Sequence, residues 1–181
     1  MLQIVIPAIE QWDEQKQEFI HTKGQTLQLE HSLVSLSKWE SKWNKAFLSK
    51  DEKSFEETLD YIKCMTVTPN VNPDIYNGLT QTHIAKINKY IEAPMTATTF
   101  VDNKGSKANR EIVTAELIYY WMIALNIPFD PCQKWHLNRL LTLIRVCNVK
   151  NAPPKKMGKR ATANQYAQLN AARRQRLGSK G

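Results

Sequence analysis

Leu2, Ile4 and Ile6 alternate with Gln3 and Val5, and a charged stretch then leads to Phe19 and Ile20 ahead of Lys23-Gly24. A period of two predicts strands. The N-terminus therefore reads as a β-hairpin or ribbon with a turn signal at Lys23-Gly24 and a further strand over Thr26 to Glu30. Beyond it the period changes. Leu33, Leu36, Trp39 and Trp43 recur at three- and four-residue steps, which predicts a helix over Ser32 to Asn44 whose tryptophans belong to the core. Ser54 with Glu57 three residues on is a capping box, and Phe55, Leu59, Ile62 and Met65 then define the inner face of a second helix. Asn72 before Pro73 starts a short helix that Gly78 ends. Ile84, Ile87 and Ile91 predict a helix over about 82 to 92, closed by Pro94.

The threonine-rich stretch Met95 to Val101 has strand character, and residues 102–106, DNKGS, are the strongest loop signal in the chain. Two apolar helices follow. Residues 114–126 are apolar nearly all round, so that helix must be buried or face a partner. The second is expected over 131–149, with Asp130 as its cap and Pro131 at the first helical position. Together they read as an αα-hairpin. At Asn151 the apolar pattern stops, and Ala152-Pro153-Pro154 cannot continue a helix. Gln165 to Leu177 carries only weak anchors, Ala167, Leu169, Ala172 and Leu177, enough for a helix formed on a partner. The expectation is an α+β fold: one domain over 1–150, an N-terminal β-ribbon packed on a mostly helical body, with a disordered basic C-terminal tail over 151–181.

Charge sharpens that division. The 181 residues carry 25 Lys plus Arg against 17 Asp plus Glu, a formal charge of +8. Residues 1–150 hold 17 of each sign, while 151–181 hold 8 basic and no acidic side chains. The folded domain is thus not itself a basic nucleic-acid platform. Nucleic acid remains available through the tail only, at Lys155, Lys156, Lys159 and Arg160, and at Arg173, Arg174 and Arg176. Tyr166 is the only aromatic among them, so base stacking is poorly served. A solubilising or partner-seeking role for the tail is the other reading.

Candidate chemistry is sparse. His21, His31, His83 and His136 lack zinc spacing, and Cys132 with His136 would make only half a metal site. There is no G-x-G-x-x-G, Walker A or G-x-S-x-G pattern. The reading is of a non-enzymatic protein with no catalytic residue, metal or cofactor. Cys64, Cys132 and Cys147 form no C-x-x-C pair and suit a reducing cytoplasm. The opening MLQIVIPAIE reads as a strand, not an export signal, and the apolar run Leu117 to Leu125 is far short of the roughly 20 residues that span a bilayer, so no membrane is expected.

Three stretches carry a resemblance: TLQLEHSLVSLSKWESKW at 26–43, PMTATTF at 94–100, and ELIYYWMIALNIPFDPCQKWHLNRLLTLIRVCN at 116–148 with the following KNAPPKKM and the terminal LNAARRQRLGSKG. Together they resemble the tail assembly chaperones of long-tailed, siphovirus-type bacteriophages, small proteins encoded beside the tape measure gene. The resemblance implies a chaperone in the host bacterial cytoplasm that binds the helical tape measure protein and helps tail tube protein gather around it. Trp121, Met122 and Trp135 are then the partner-binding candidates, the alternative being that all three are core. A second function fits the same chain, a structural virion protein of the neck or tail whose basic tail contacts DNA or an acidic subunit.

Overall fold

The structure, a computed structural model, describes residues 1–14, 17–100, 111–153 and 159–178. It divides into Met1–Asn148 and Val149–Gly181. The first unit opens with β1 (Leu2–Ile6), β2 (Ile9–Asp13), β3 (Glu18–Thr22) and β4 (Gln25–Leu29). β1 pairs antiparallel with β4, from Leu2 opposite Leu29 to Ile6 opposite Gln25. β2 pairs antiparallel with β3, from Ile9 opposite Thr22 to Asp13 opposite Glu18. The ladder is broken where Pro7, which has no N–H to donate, meets Lys23 and Gly24. Lys23-Gly24 is therefore not the hairpin turn, which lies between β2 and β3, but an interruption in a ribbon. Gly24 permits it, because a Cβ there would lie 2.9 Å from the Ala8 nitrogen and 3.0 Å from the Ile6 carbonyl oxygen.

The period-two pattern has its usual cause. Ile4, Ile6, Leu27 and Leu29 face inward and are buried, while Gln3 and Val5 face outward. The other edge of β4 is covered by the chain leaving the second helix: the Glu30 N–H donates to the Met65 carbonyl at 2.9 Å and the Val67 N–H to the Gln28 carbonyl at 2.8 Å.

Helix α1 (Leu33–Trp43) starts at Ser32, whose hydroxyl accepts from the Ser35 N–H, and stops at Asn44 in the left-handed region. Helix α2 (Phe55–Met65) carries the expected Ser54–Glu57 capping box. Ile62 and Met65 are buried on its inner face as expected and Leu59 packs at its border, but Phe55 is 68% exposed and Tyr61 is buried with them. Asn72 caps the 3-10 turn Pro73–Gly78, and Thr80 caps α3 (Gln81–Glu92). Residues 95–100 form no strand, which corrects the expectation for Met95 to Val101 as far as the described residues reach; threonine content alone supplies no pairing partner.

Helix α4 (Ala115–Ala124) begins at Thr114 as expected. The next helix does not begin at Pro131. A four-residue turn, α5 (Phe129–Cys132), is followed by irregular chain, and α6 runs Leu137–Asn151. Asp130 is extended (φ −96°, ψ 128°) and no cap; it instead pairs with Lys134 at 2.6 Å. The helix is delayed because tertiary pairing claims the backbone first. His136 bridges Ser32, and the Leu137 N–H donates to the His31 carbonyl at 2.7 Å. Nor do α4 and α6 form a simple hairpin, since α4 packs most closely on α1.

Two hydrophobic clusters result. One holds Ile4, Ile6, Leu27 and Leu29 with Trp39, Tyr61, Ile62, Met65, Ile75 and Ile87. The other holds Leu33 and Leu36 with Ala115, Ile118, Met122, Leu137, Leu140 and Ile144. Helix α1 supplies both, Trp39 to the first and Leu33 and Leu36 to the second. The fold of this unit is α+β, as the sequence predicts.

The second unit contains α7 (Lys159–Leu177). The helix expected over Gln165–Leu177 therefore starts earlier, at Lys159. Ala161, Ala163, Ala167, Ala171 and Ala172 with Arg and Gln between them have high intrinsic helix propensity, which the weak apolar anchoring conceals.

Candidate functional site

Helix α4 presents the clearest outward apolar surface. Ala115, Ile118 and Met122 turn into the core, which leaves Tyr120 at 61% and Ile123 at 63% exposure, one turn apart on the opposite side. Ile112, just before the helix, is exposed as well. Tyr119 beside them is tied down: its hydroxyl donates to Gln133 Oε1 at 3.3 Å and its ring meets Phe129 edge-on at 5.3 Å. A tyrosine and an isoleucine on one face, held by a rigid neighbour, suit an adaptable contact with another helix.

The three sequence-nominated anchors fare differently. Met122 is fully buried in the second cluster, so it is core and not an anchor. Trp121 is half-buried and packs on the second cluster. Trp135 is also half-buried, with the Arg139 guanidinium 4.2 Å from its ring centroid. Tyr120 and Ile123 are not legible in the sequence, because a helix apolar all round gives no periodic clue to which side faces out.

A second apolar surface is a groove between α2, the 3-10 turn and α3, lined by Phe55, Leu59, Tyr76, Leu79 and Ile84. Its exposed Phe55 is the residue that α2's capping geometry places in the first turn, outside the core.

A cluster of buried rings and hydroxyls lies elsewhere, in the seam where α1 begins. His31 Nδ1 is 2.5 Å from the Tyr61 hydroxyl, and the His31 and His136 rings meet edge-to-face at 5.1 Å. His136 Nε2 lies 2.9 Å from the Tyr90 carbonyl oxygen, while its Nδ1 accepts from the Asn138 N–H at 3.3 Å. That pair of contacts requires the neutral ring with its proton on Nε2. Burial, with His136 adding to it, pushes the His31 pKa down to about 3, and burial also lowers His136. Burial raises Tyr61 and Tyr90, the latter also through the Glu30 carboxylate that accepts from its hydroxyl at 2.8 Å. Glu30 also meets the Met1 ammonium at 3.0 Å. Every ring here is satisfied within the protein, which makes the seam a structural polar network.

Among the described residues, no group of three His, Cys, Asp or Glu side chains is placed to hold a metal. Cys132 and His136 are both buried, but irregular chain separates α5 from α6, so the shared helix face that their spacing implied is not formed. Cys64, Cys132 and Cys147 are free thiols. No described helix is long and apolar enough to cross a membrane.

Of the basic residues nominated for nucleic acid, Lys159, Arg160, Arg173, Arg174 and Arg176 fall on α7, and Arg173 and Arg174 are exposed. Lys155 and Lys156 lie outside the described residues. Comparison of the chain with protein-family models, with curated proteins and with solved structures returns no match.

Proposed function

We propose that this chain is a tail assembly chaperone of a long-tailed bacteriophage, acting in the host cytoplasm without catalysis and binding the tape measure protein while tail tube subunits assemble. The observation that carries the reading is the outward strip of α4, Tyr120 and Ile123, within one of the three segments that resemble that family. A long amphipathic helix exposes apolar stripes that aggregate unless covered. An exposed aromatic and aliphatic pair on a helix anchored in the second hydrophobic cluster offers such cover without rearranging the body. The experiment is co-expression with the tape measure protein encoded beside it. Soluble tape measure should rise and co-purify, and an insoluble tape measure with no complex would defeat the proposal.

A second reading rests on a different observation. Residues 151–181 have no acidic side chain and α7 holds Arg173 and Arg174 in solvent, as suits a virion protein of the neck or tail touching DNA or an acidic subunit. Mass spectrometry of purified particles separates the two, since stoichiometric presence favours the virion protein and absence favours the chaperone.

A further inference from the structure

The β2–β3 ribbon is an arm with little holding it to the body. Among its described side chains only Thr22 is buried; Glu10, Trp12, Phe19 and His21 are all exposed. Its sheet has two strands, and among the described residues neither β2 nor β3 has a further neighbour. Two five-residue strands alone are marginal in water, and an open strand edge presents a row of unpaired backbone donors and acceptors. Natural edges are usually blunted by lysine, proline or a bulge. β3, with the sequence EFIHT, has none of these.

One face of the ribbon carries two cross-strand pairs. Trp12 stands opposite Phe19, their rings edge-on at 5.0 Å, and Glu10 stands opposite His21 with Oε1 3.2 Å from Nδ1. Trp12 is 49% and Phe19 60% exposed. We propose that the β3 edge forms an interface with a second copy of this chain, β3 pairing antiparallel with β3 about a two-fold axis through Ile20 so that the Trp12–Phe19 face runs on from one copy into the other.

The register follows from the sequence. Pairing centred on Ile20 sets Phe19 opposite His21 of the second copy, and sets the two Phe19 side chains diagonal to each other, within reach of aromatic rings. Each cross-sheet row then runs Trp12, Phe19, His21, Glu10, reading from one copy into the other. Each carboxylate keeps the imidazole it already holds, no two carboxylates become neighbours, and the two His21 rings, diagonal to each other, each stay beside a Glu10 carboxylate. Pairing through β2 is the competing geometry. Centred on Gln11, it places the two Glu10 carboxylates diagonal to each other, which charge disfavours. The β3 edge is thus the self-complementary one, as an isologous dimer requires. The edge is short, below the area of a stable standard interface, so the dimer is weak and fills as concentration rises.

The test is sedimentation equilibrium of the full chain at rising concentration near neutral pH, with hydrogen exchange read on the two strands. A monomer–dimer equilibrium is expected, with alternate β3 amides slowed as dimer accumulates and β2 amides unchanged. Phe19→Lys sets two lysines diagonally across the seam and should raise the dissociation constant by about tenfold or more. Trp12→Lys changes the same face one strand away from the seam and should leave the constant within about twofold. Circular dichroism reports whether each variant keeps its fold, and the exchange pattern of the unsubstituted chain stands without them. A single-protomer mass up to about millimolar concentration overturns the proposal. So does a dimer indifferent to Phe19→Lys, or one lost equally in both variants, which would mark face-to-face stacking instead of edge pairing.

Discussion

The carboxylate of Glu40, in the last turn of α1, accepts the Ala115 N–H at 2.7 Å and so caps α4 from 75 residues away in sequence. Its other oxygen accepts the Phe47 N–H at 2.8 Å. The pairing joins three segments through one side chain, at a helix N-terminus where negative charge is favoured. Burial raises the Glu40 pKa, and the two backbone donors oppose that rise.

Glu40→Ala should therefore cost more than a surface substitution. It leaves two N–H donors unanswered, each worth about 1–3 kcal/mol when buried, so a loss of about 2–6 kcal/mol is expected in urea unfolding. Glu40→Gln keeps one acceptor and should lose about half as much. Equal stability in all three proteins would show that these bonds contribute nothing net.

Acid should weaken the fold through the His31–His136 seam. His31 is held neutral down to about 3, against 6.5 ordinarily, so between those values the unfolded chain binds the extra proton. Stability falls as pH drops through that window, with a slope approaching about 1.4 kcal/mol per pH unit for each such histidine. Glu40 works in the opposite sense, because its raised pKa favours the folded state on acidification. His31→Gln should flatten the acid limb of a plot of unfolding free energy against pH. An unchanged slope would assign the acid sensitivity to other groups.

Met122 and Tyr120, two residues apart on α4, should separate folding from binding. Met122→Ala removes a fully buried side chain and should cost about 2–5 kcal/mol. A Tyr120→Ser, Ile123→Ser double variant touches exposed positions and should change stability by about 0.5 kcal/mol per site or less, while reducing tape measure co-purification severalfold. Unimpaired co-purification would move the partner surface elsewhere, with the Phe55 groove next in line.

Gly24→Ala should disturb the ribbon. The added Cβ meets backbone atoms at 2.9 to 3.1 Å, which cannot yield as a flexible side chain would. A loss of about 1–3 kcal/mol is expected, with faster amide exchange spreading from residues 6–8 and 23–25 into β1 and β4.

Truncation after Asn151 removes every unbalanced charge, since the remaining chain holds equal numbers of basic and acidic residues. Any binding to DNA measured for the full chain should vanish, and before truncation it should weaken steeply with added salt. Salt-resistant DNA binding by the truncated protein would place that surface on the body.

The features legible in the sequence were local ones. Ser54 with Glu57, Asn72 with Pro73 and the alternation of Ile4 and Ile6 each depend on neighbours within a few residues, and each forms as read. The illegible features depend on distant partners. The start of α6 waits for His136 to bridge Ser32, and the cap of α4 includes Glu40. The candidate surface suffered similarly: aromatic identity singled out Trp121 and Trp135, but which face of α4 is covered is decided by α1 and α6. On α7 the bias ran the other way, because sparse apolar anchors hid a strong alanine propensity.

Helix α1 places Leu36 in one cluster and Trp39, a single turn later, in the other. α1 cannot leave its place without exposing both. The body should accordingly melt in one concerted step, with no lasting half-open form offering sticky surface of its own. For a protein proposed to shield another chain's apolar stripes, that coupling keeps its own interior from competing for the same contacts.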